Sequence, residues 1–404
     1  MVYQPPAGAR DLLPLDVAQK HWLEERLQQV FHRWGYHRII TSTLERLDTL
    51  MAGGAITRST VIQLQHLDDE PLGLRPELTA SIARAAVTRM ASRTYPQRLY
   101  YNANVFRRSQ EGDYTRQQEF YQAGVELLGI GGLLADAEVL MLLMDCLHHL
   151  HLPGHLVLGE AGLTRSLLSI FPDPLCAKVR HAISTLDRIA LETMELSDDL
   201  RDRALTLLDL RGKPSDVLQN VSQLPLNSTQ QDSVRNLKSL IELLQDSQTD
   251  VPIVLDLSLI RTFDYYTGIV FEVVTSSASS GQTLIGQGGR YDQLLGLYHP
   301  QGESLPGIGF SLQLEELHQI LLSLGQLPTQ DPTSDWLVVS ETSQTHAIAF
   351  THAQKLRDSS ALVRVEMDLS GNDHDQIREY ARSRRIPHIA WIESDGSAAI
   401  ERVN

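Results

Sequence analysis

Cysteine is nearly absent from this chain of 404 residues. Cys146 and Cys176 stand too far apart for a metal knuckle or a redox pair, and two thiols cannot make a disulfide framework. A reducing, cytoplasmic setting is the expectation. Basic residues are also short: 35 Lys and Arg against 50 Asp and Glu give a net charge of −15, a poor balance for gripping a phosphate backbone. Nucleic acid is not an expected partner. Long apolar runs are missing too. The richest stretch, around Leu140 to Leu150, has Asp136, Glu138 and Asp145 in or near it and falls short of the roughly 18 apolar residues that argue for a membrane helix. The first residues carry prolines and Arg10-Asp11 where a secretion signal needs an apolar stretch, so no signal peptide is expected. No GxxxxGK[ST] loop, HExxH pair or GxSxG elbow occurs, which removes the common one-line signatures; no cofactor and no metal are expected.

What is present is enough chain for more than one core. Asp16 reads as the N-cap of a helix carrying Val17, Leu23, Leu27, Val30, Phe31 and Trp34, with Gly35 as its stop. His37 to Thr41 reads as extended. Residues 98–108 and 117–128, rich in Tyr, Phe and Val, predict an antiparallel hairpin, and Asp136 to Leu150 predicts a helix on the sheet. Between about 161 and 250 leucine-rich stretches broken at Gly212 and Pro214 predict a helical insertion. Strands return at 253–257, 270–274 and 286–291, followed by a helix over 314–324 and a linker near Pro328 to Ser334. Beyond it, strands at 336–340, 362–367 and 388–392 alternate with helices at 344–356 and 375–383, which predicts a small α/β domain with a parallel sheet.

Four segments put charge into strand-like surroundings: Leu74-Arg75-Pro76-Glu77-Leu78-Thr79-Ala80; Phe106-Arg107 with Phe120 to Glu126; Leu259 to Gly268, which contains Arg261 and Asp264-Tyr265-Tyr266; and Gly288-Gly289-Arg290-Tyr291-Asp292. Side chains repeat every second residue on a strand, so Phe120, Gln122, Gly124 and Glu126 share one face. With Arg107 on the neighbouring strand, that face carries both charge signs. Such a floor suits a zwitterionic amino acid, whose ammonium needs acceptors and whose carboxylate takes a bidentate Arg. An ordinary cross-strand ion pair between Glu126 and Arg107 explains the same residues. The tyrosine pair reads equally as packing, and the glycine pair as a hairpin turn.

The order of these segments, ending in Gly307-Ile308-Gly309-Phe310-Ser311-Leu312 and Leu314-Glu315-Glu316-Leu317, resembles the catalytic core of the histidyl-tRNA synthetase family over about residues 3 to 325. The resemblance implies an α+β fold: a class II synthetase-like antiparallel sheet core in two parts, 1–160 and 251–325, interrupted by the insertion at 161–250. Residues 331–404 look like a shortened anticodon-binding domain of α/β type. It implies that Glu77, Thr79 and Gln122 receive a histidine ammonium, that Arg107 and Arg261 take its carboxylate, and that Glu126 and Tyr266, with Tyr265 beside them, hold the imidazole.

Two departures bear on activity. Ser109 stands where the synthetases have a Glu that helps hold adenine, and Glu316 where they have an Arg on the γ-phosphate, so a cation that neutralises phosphate becomes an anion that repels it. Residues 331–404 hold eight Lys and Arg against twelve Asp and Glu, a poor surface for an RNA stem. Retained histidine contacts with lost nucleotide contacts match the non-catalytic branch of the family, the regulatory subunits of ATP phosphoribosyltransferase. That resemblance implies no catalytic residue, a short-form ATP phosphoribosyltransferase catalytic subunit as partner, L-histidine as effector, and a homodimer within a hetero-oligomer. The alternatives are a divergent histidine-tRNA ligase and a pseudo-synthetase that senses tRNA.

Overall fold

The computed structural model describes residues 3–64, 70–108, 117–247, 251–259, 265–277, 281–359 and 362–403. The chain divides into two compact units, Met1–Asp11 with Gln19–Leu327, and Leu12–Ala18 with Pro328–Asn404.

The first long element is α1 (Pro14–Arg33), which buries Leu23, Leu27, Val30 and Phe31 and is followed by Gly35. Asp16 is not its N-cap. It sits inside the first turn, where its carboxylate accepts from the Leu13 N–H and complements the helix dipole. Then come β1 (His37–Arg38), β2 (Leu44–Arg46), α2 (Leu47–Met51), β3 (Gln63–Leu64), β4 (Leu72–Leu74) and α3 (Thr79–Thr88). The hairpin β5 (Gln97–Phe106) and β6 (Glu119–Leu128) follows, and then α4 (Leu133–His149) and β7 (His155–Glu160).

Residues 161–250 carry α5 (Ala161–Leu168), α6 (Asp173–Ser184), α7 (Arg188–Thr193), α8 (Asp198–Asp209), the short β8 (Arg211–Gly212), α9 (Pro214–Ser222) and α10 (Ser228–Asp246). The unit closes with β9 (Ile253–Asp256), β10 (Ile269–Ser277), β11 (Gly281–Arg290), α11 (Leu294–Tyr298), β12 (Gly307–Gln313) and α12 (Leu314–Ser323).

Nine of these strands form one sheet in the order β1-β5-β6-β12-β11-β10-β7-β9-β8, and β2, β4 and β3 form a small antiparallel one. In the large sheet only β1 with β5 and β7 with β9 pair in parallel. An apolar core packs against each face of the sheet. On β6 the odd residues Ala123, Val125 and Leu127 enter the larger core with α1, α4 and the helices of 161–250. The even residues Phe120 and Leu128 join a second core with α3, α11 and several tyrosines. Each fully buried leucine or valine in these layers contributes roughly 1.5–3 kcal/mol over an exposed one.

The second unit holds β13 (Trp336–Ser340), α13 (His346–Arg357), β14 (Val365–Met367), α14 (His374–Ser383), β15 (His388–Ile392) and β16 (Ala398–Arg402). Its strand order is β14-β13-β15-β16. The first three are parallel, but β16 runs antiparallel to β15, so the sheet is mixed rather than all parallel. β16 escaped the sequence reading because Ala398-Ala399-Ile400-Glu401-Arg402 has little β-branched or aromatic content.

Candidate functional site

The register of the large sheet builds one polar face from three strands. Gln122, Gly124 and Glu126 on β6 lie opposite Gln313, Ser311 and Gly309 on β12. Ser311 and Gly309 lie in turn opposite Gln287 and Gly289 on β11. On the other side Tyr101 of β5 pairs with Gly124. Small residues are required here by close approach. A Cβ on Gly309 would stand 2.0 Å from Glu126 Oε2 and 2.4 Å from the Val125 carbonyl, and one on Gly124 would stand 2.1 Å from the Phe310 carbonyl.

Over this face lies a cavity lined by Glu77, Thr79, Arg107, Gln122, Glu126, Tyr265 and Tyr266, that is, by all of the expected amino-acid contacts that fall in the described residues. Arg261 and Ser109 lie outside the described residues. Tyr101, Gln287, Tyr291 and Ser311 add further polar groups to the walls, beside Leu78, Gly309 and Phe310. Sequence reasoning missed all seven as site residues. The period-two rule would have found Gln287 and Ser311 once the strand register was known.

Glu126 is the centre of the polar network and only 1% exposed. The Thr79 hydroxyl donates to its Oε1 at 2.7 Å and the Tyr291 hydroxyl donates to its Oε2. Burial pushes its carboxyl up to about 8; the two hydroxyl donors pull it down in part, and the nearby Glu77 carboxylate raises it further. Burial likewise raises the Tyr101, Tyr265, Tyr266 and Tyr291 hydroxyls, so all four remain protonated donors.

Glu77 has a role that its spacing did not disclose. Its two oxygens accept from the backbone N–H groups of Thr79 (2.6 Å) and Ala80 (2.9 Å), satisfying orphan donors at the start of α3. Burial raises its pKa against those bonds and the Arg107 charge. Arg107 lies one residue beyond the end of β5, and its Nε donates to the Pro76 carbonyl at 3.0 Å. It does not face Glu126 across the hairpin; the residue opposite Glu126 is Leu99. The simple cross-strand ion pair is therefore replaced by a cavity in which a guanidinium and two carboxyl groups stand apart. Glu316 is placed in the first turn of α12, next to Glu315, which accepts from the Tyr121 N–H at 2.9 Å.

Among the described residues no group of His, Cys, Asp and Glu is placed to hold a metal ion, and no helix is long and apolar enough to cross a membrane.

A family description of histidyl-tRNA synthetase matches residues 8–317. The ATP phosphoribosyltransferase regulatory subunit of Trichormus variabilis is 66% identical over 405 residues, covering all of both chains. That of Gloeothece citriformis is 61% identical, again over all of both. Among solved structures, an ATP phosphoribosyltransferase regulatory subunit/histidyl-tRNA synthetase from Bacillus halodurans superposes with a TM-score of 0.80 at 26% identity, covering 94% of this chain and 97% of that one. A histidyl-tRNA synthetase from a Nostoc species, at 21% identity and a TM-score of 0.77 over 99% of this chain and 97% of its own, shares the fold. Full-length identity to named relatives, together with the class II sheet and its cavity, shows that the chain belongs to the ATP phosphoribosyltransferase regulatory subunit family, a branch built on the histidyl-tRNA synthetase fold.

Proposed function

We propose that this chain is a non-catalytic regulatory subunit that binds free L-histidine in the cavity over β6 and conveys its presence to a short-form ATP phosphoribosyltransferase catalytic subunit, at the first step of histidine biosynthesis. The observation that carries the reading is the gathering of Glu77, Thr79, Arg107, Gln122, Glu126, Tyr265 and Tyr266 around one cavity. A zwitterion with a second polar group needs such a set. Arg107 offers a fork for the carboxylate. Gln122 and Glu77 offer acceptors for the ammonium. Glu126 and the Tyr266 hydroxyl can pair with a neutral imidazole, which presents one N–H and one bare nitrogen. A centre the size of a water molecule can move over only about 20 Å³ of the cavity, so histidine enters by parting the side chains that line it.

Feedback requires histidine to bind the less active state of the complex more tightly, with a coupling of typically about 1–3 kcal/mol. The working assembly is a homodimer of this chain inside a cytoplasmic hetero-oligomer. Reconstitution with the catalytic partner tests the whole reading. Phosphoribosyl-ATP formation should depend on this chain and fall when histidine is added. Arg107→Ala or Glu126→Ala should leave assembly and turnover intact while abolishing the response. A partner equally active and equally histidine-sensitive alone would overturn the proposal.

A further inference from the structure

A second, roomier cavity lies behind the first. A water-sized centre can move through about 460 Å³ of it, which is within the range of small-molecule sites. It opens between the start of α4, the end of β7, the face of α10 and the end of β11. Leu237, Leu240 and Ile269 give it an apolar floor.

Its polar wall is built around Arg290, which is 7% exposed. Arg290 donates through Nε to Asp136 Oδ1 at 2.9 Å and again through Nη2 to the same oxygen. Its Nη1 reaches Asp292 at 3.3 Å, and its Nη2 lies 3.4 Å from the Gly132 carbonyl. Four of its five N–H donors are thus committed within the protein, which leaves at most one Nη1–H to offer an anion. The Glu160 carboxylate caps α5 by accepting from the Leu163 N–H, and Asp292 accepts from the Thr267 hydroxyl at 2.8 Å. Three carboxylates thus face the space against one cation, a net lining charge of −2 when all are ionised. Ser233 and Asn236 of α10 edge the mouth.

The two cavities share a wall. Tyr266 and Tyr291 line the first, while their neighbours Gly268, Arg290 and Asp292 line the second. The Thr267 N–H donates to the Arg290 carbonyl at 2.8 Å, holding the two segments together.

We infer that this cavity is a binding site for a small organic cation, an amine or amidine carried on a compact apolar body. The net negative wall selects the charge and the leucine floor takes the body. The inference does not depend on the ligand assigned to the first cavity.

The test uses the intact chain and two probes of one shape and opposite charge, benzamidine and benzoate, followed by calorimetry and ligand-observed NMR. Benzamidine should bind and benzoate should not. Asn236→Trp fills the mouth from an exposed position, and it should weaken benzamidine by about tenfold or more, one decade in Kd. Asp292→Asn should weaken it severalfold. Glu126→Gln, in the other cavity, should leave it within about twofold. No benzamidine binding at millimolar concentration would overturn the inference, as would equal binding of benzoate. So would a loss in Glu126→Gln with retention in Asn236→Trp, which would place the probe in the first cavity. If Asp292→Asn lowers folding stability, Asn236→Trp alone decides.

Discussion

Replacing Glu126 by Gln asks whether the carboxyl at the heart of the first cavity is neutral near physiological pH. Burial moves it from 4.5 to about 8. At about 1.4 kcal/mol per pKa unit, ionising it in the folded chain costs on the order of 5 kcal/mol. Between these two values the folded chain keeps a proton that the unfolded chain has released. The stabilisation is therefore fully present below pH 4.5 and is lost as the pH rises to about 8. The amide is nearly isosteric with the protonated acid and cannot ionise. Its own cost is one mismatched hydrogen bond, about 1 kcal/mol, because its single carbonyl oxygen can accept from only one of the Thr79 and Tyr291 hydroxyls. Urea unfolding from about pH 5 to about pH 9 should show the wild type somewhat more stable than the variant at the acid end and less stable by a few kcal/mol at the alkaline end. Taking the difference between the two proteins cancels the carboxyls outside this cavity that burial raises, Asp136, Glu160 and Glu315; Glu77, whose charge reaches Glu126, contributes to the difference. A difference that stays flat across the range would refute the reasoning, because it would mean that Glu126 is hydrated enough to ionise normally.

Three further outcomes are expected. Glu126→Ala and Arg107→Ala should each weaken L-histidine binding by about 2 kcal/mol or more in calorimetry, since each leaves a charged or polar partner unpaired in a desolvated site. The chain should give no histidine-dependent ATP–pyrophosphate exchange above a blank, because Glu316 supplies repulsion where a phosphate needs a cation. Gly309→Ala should destabilise the fold by about 1–3 kcal/mol or more in the same urea assay, because the new methyl would meet both Glu126 and the Val125 carbonyl at the centre of the sheet.

The strongly patterned parts of the fold were legible in the sequence. The periodicity of Leu23, Leu27, Val30 and Phe31 marks α1, and the Tyr- and Val-rich runs mark the β5–β6 hairpin; the α+β class follows from these and from the resemblance. The terminal details were not. Asp16 moved from cap to first turn because capping depends on one residue's backbone geometry, which spacing does not fix. The even face of β6 was readable from period two, but its partners on β12 and β11 depend on strand order across some 190 residues of chain. Glu77 could be named as a site residue, yet its capping of α3 was hidden, since Glu is not among the usual N-cap residues. Arg107 fell on the cavity but not on the strand, one residue past the ladder, where alternation no longer says which way a side chain points.

The change at Glu316 is best understood together with its neighbour. Glu315 is held by the Tyr121 N–H, which ties α12 to β6, and both acidic side chains suit the positive end of a helix. Glu315 also lies close enough to Arg107 to favour the guanidinium charge. In the proposed reading, a phosphate chain approaching Arg107 would meet two carboxylates rather than one. Glu316→Arg alone would therefore leave Glu315 in its backbone bond and still facing the anion, and removing Glu315 would free a backbone donor at the strand–helix junction. In the proposed reading, the two halves of the site thus rest on different supports. The amino-acid half is fixed by side-chain register across three central strands, where any change is felt by both cores. The nucleotide half sits at a helix terminus, where acidic residues stabilise the helix and charge can be reversed without disturbing the sheet.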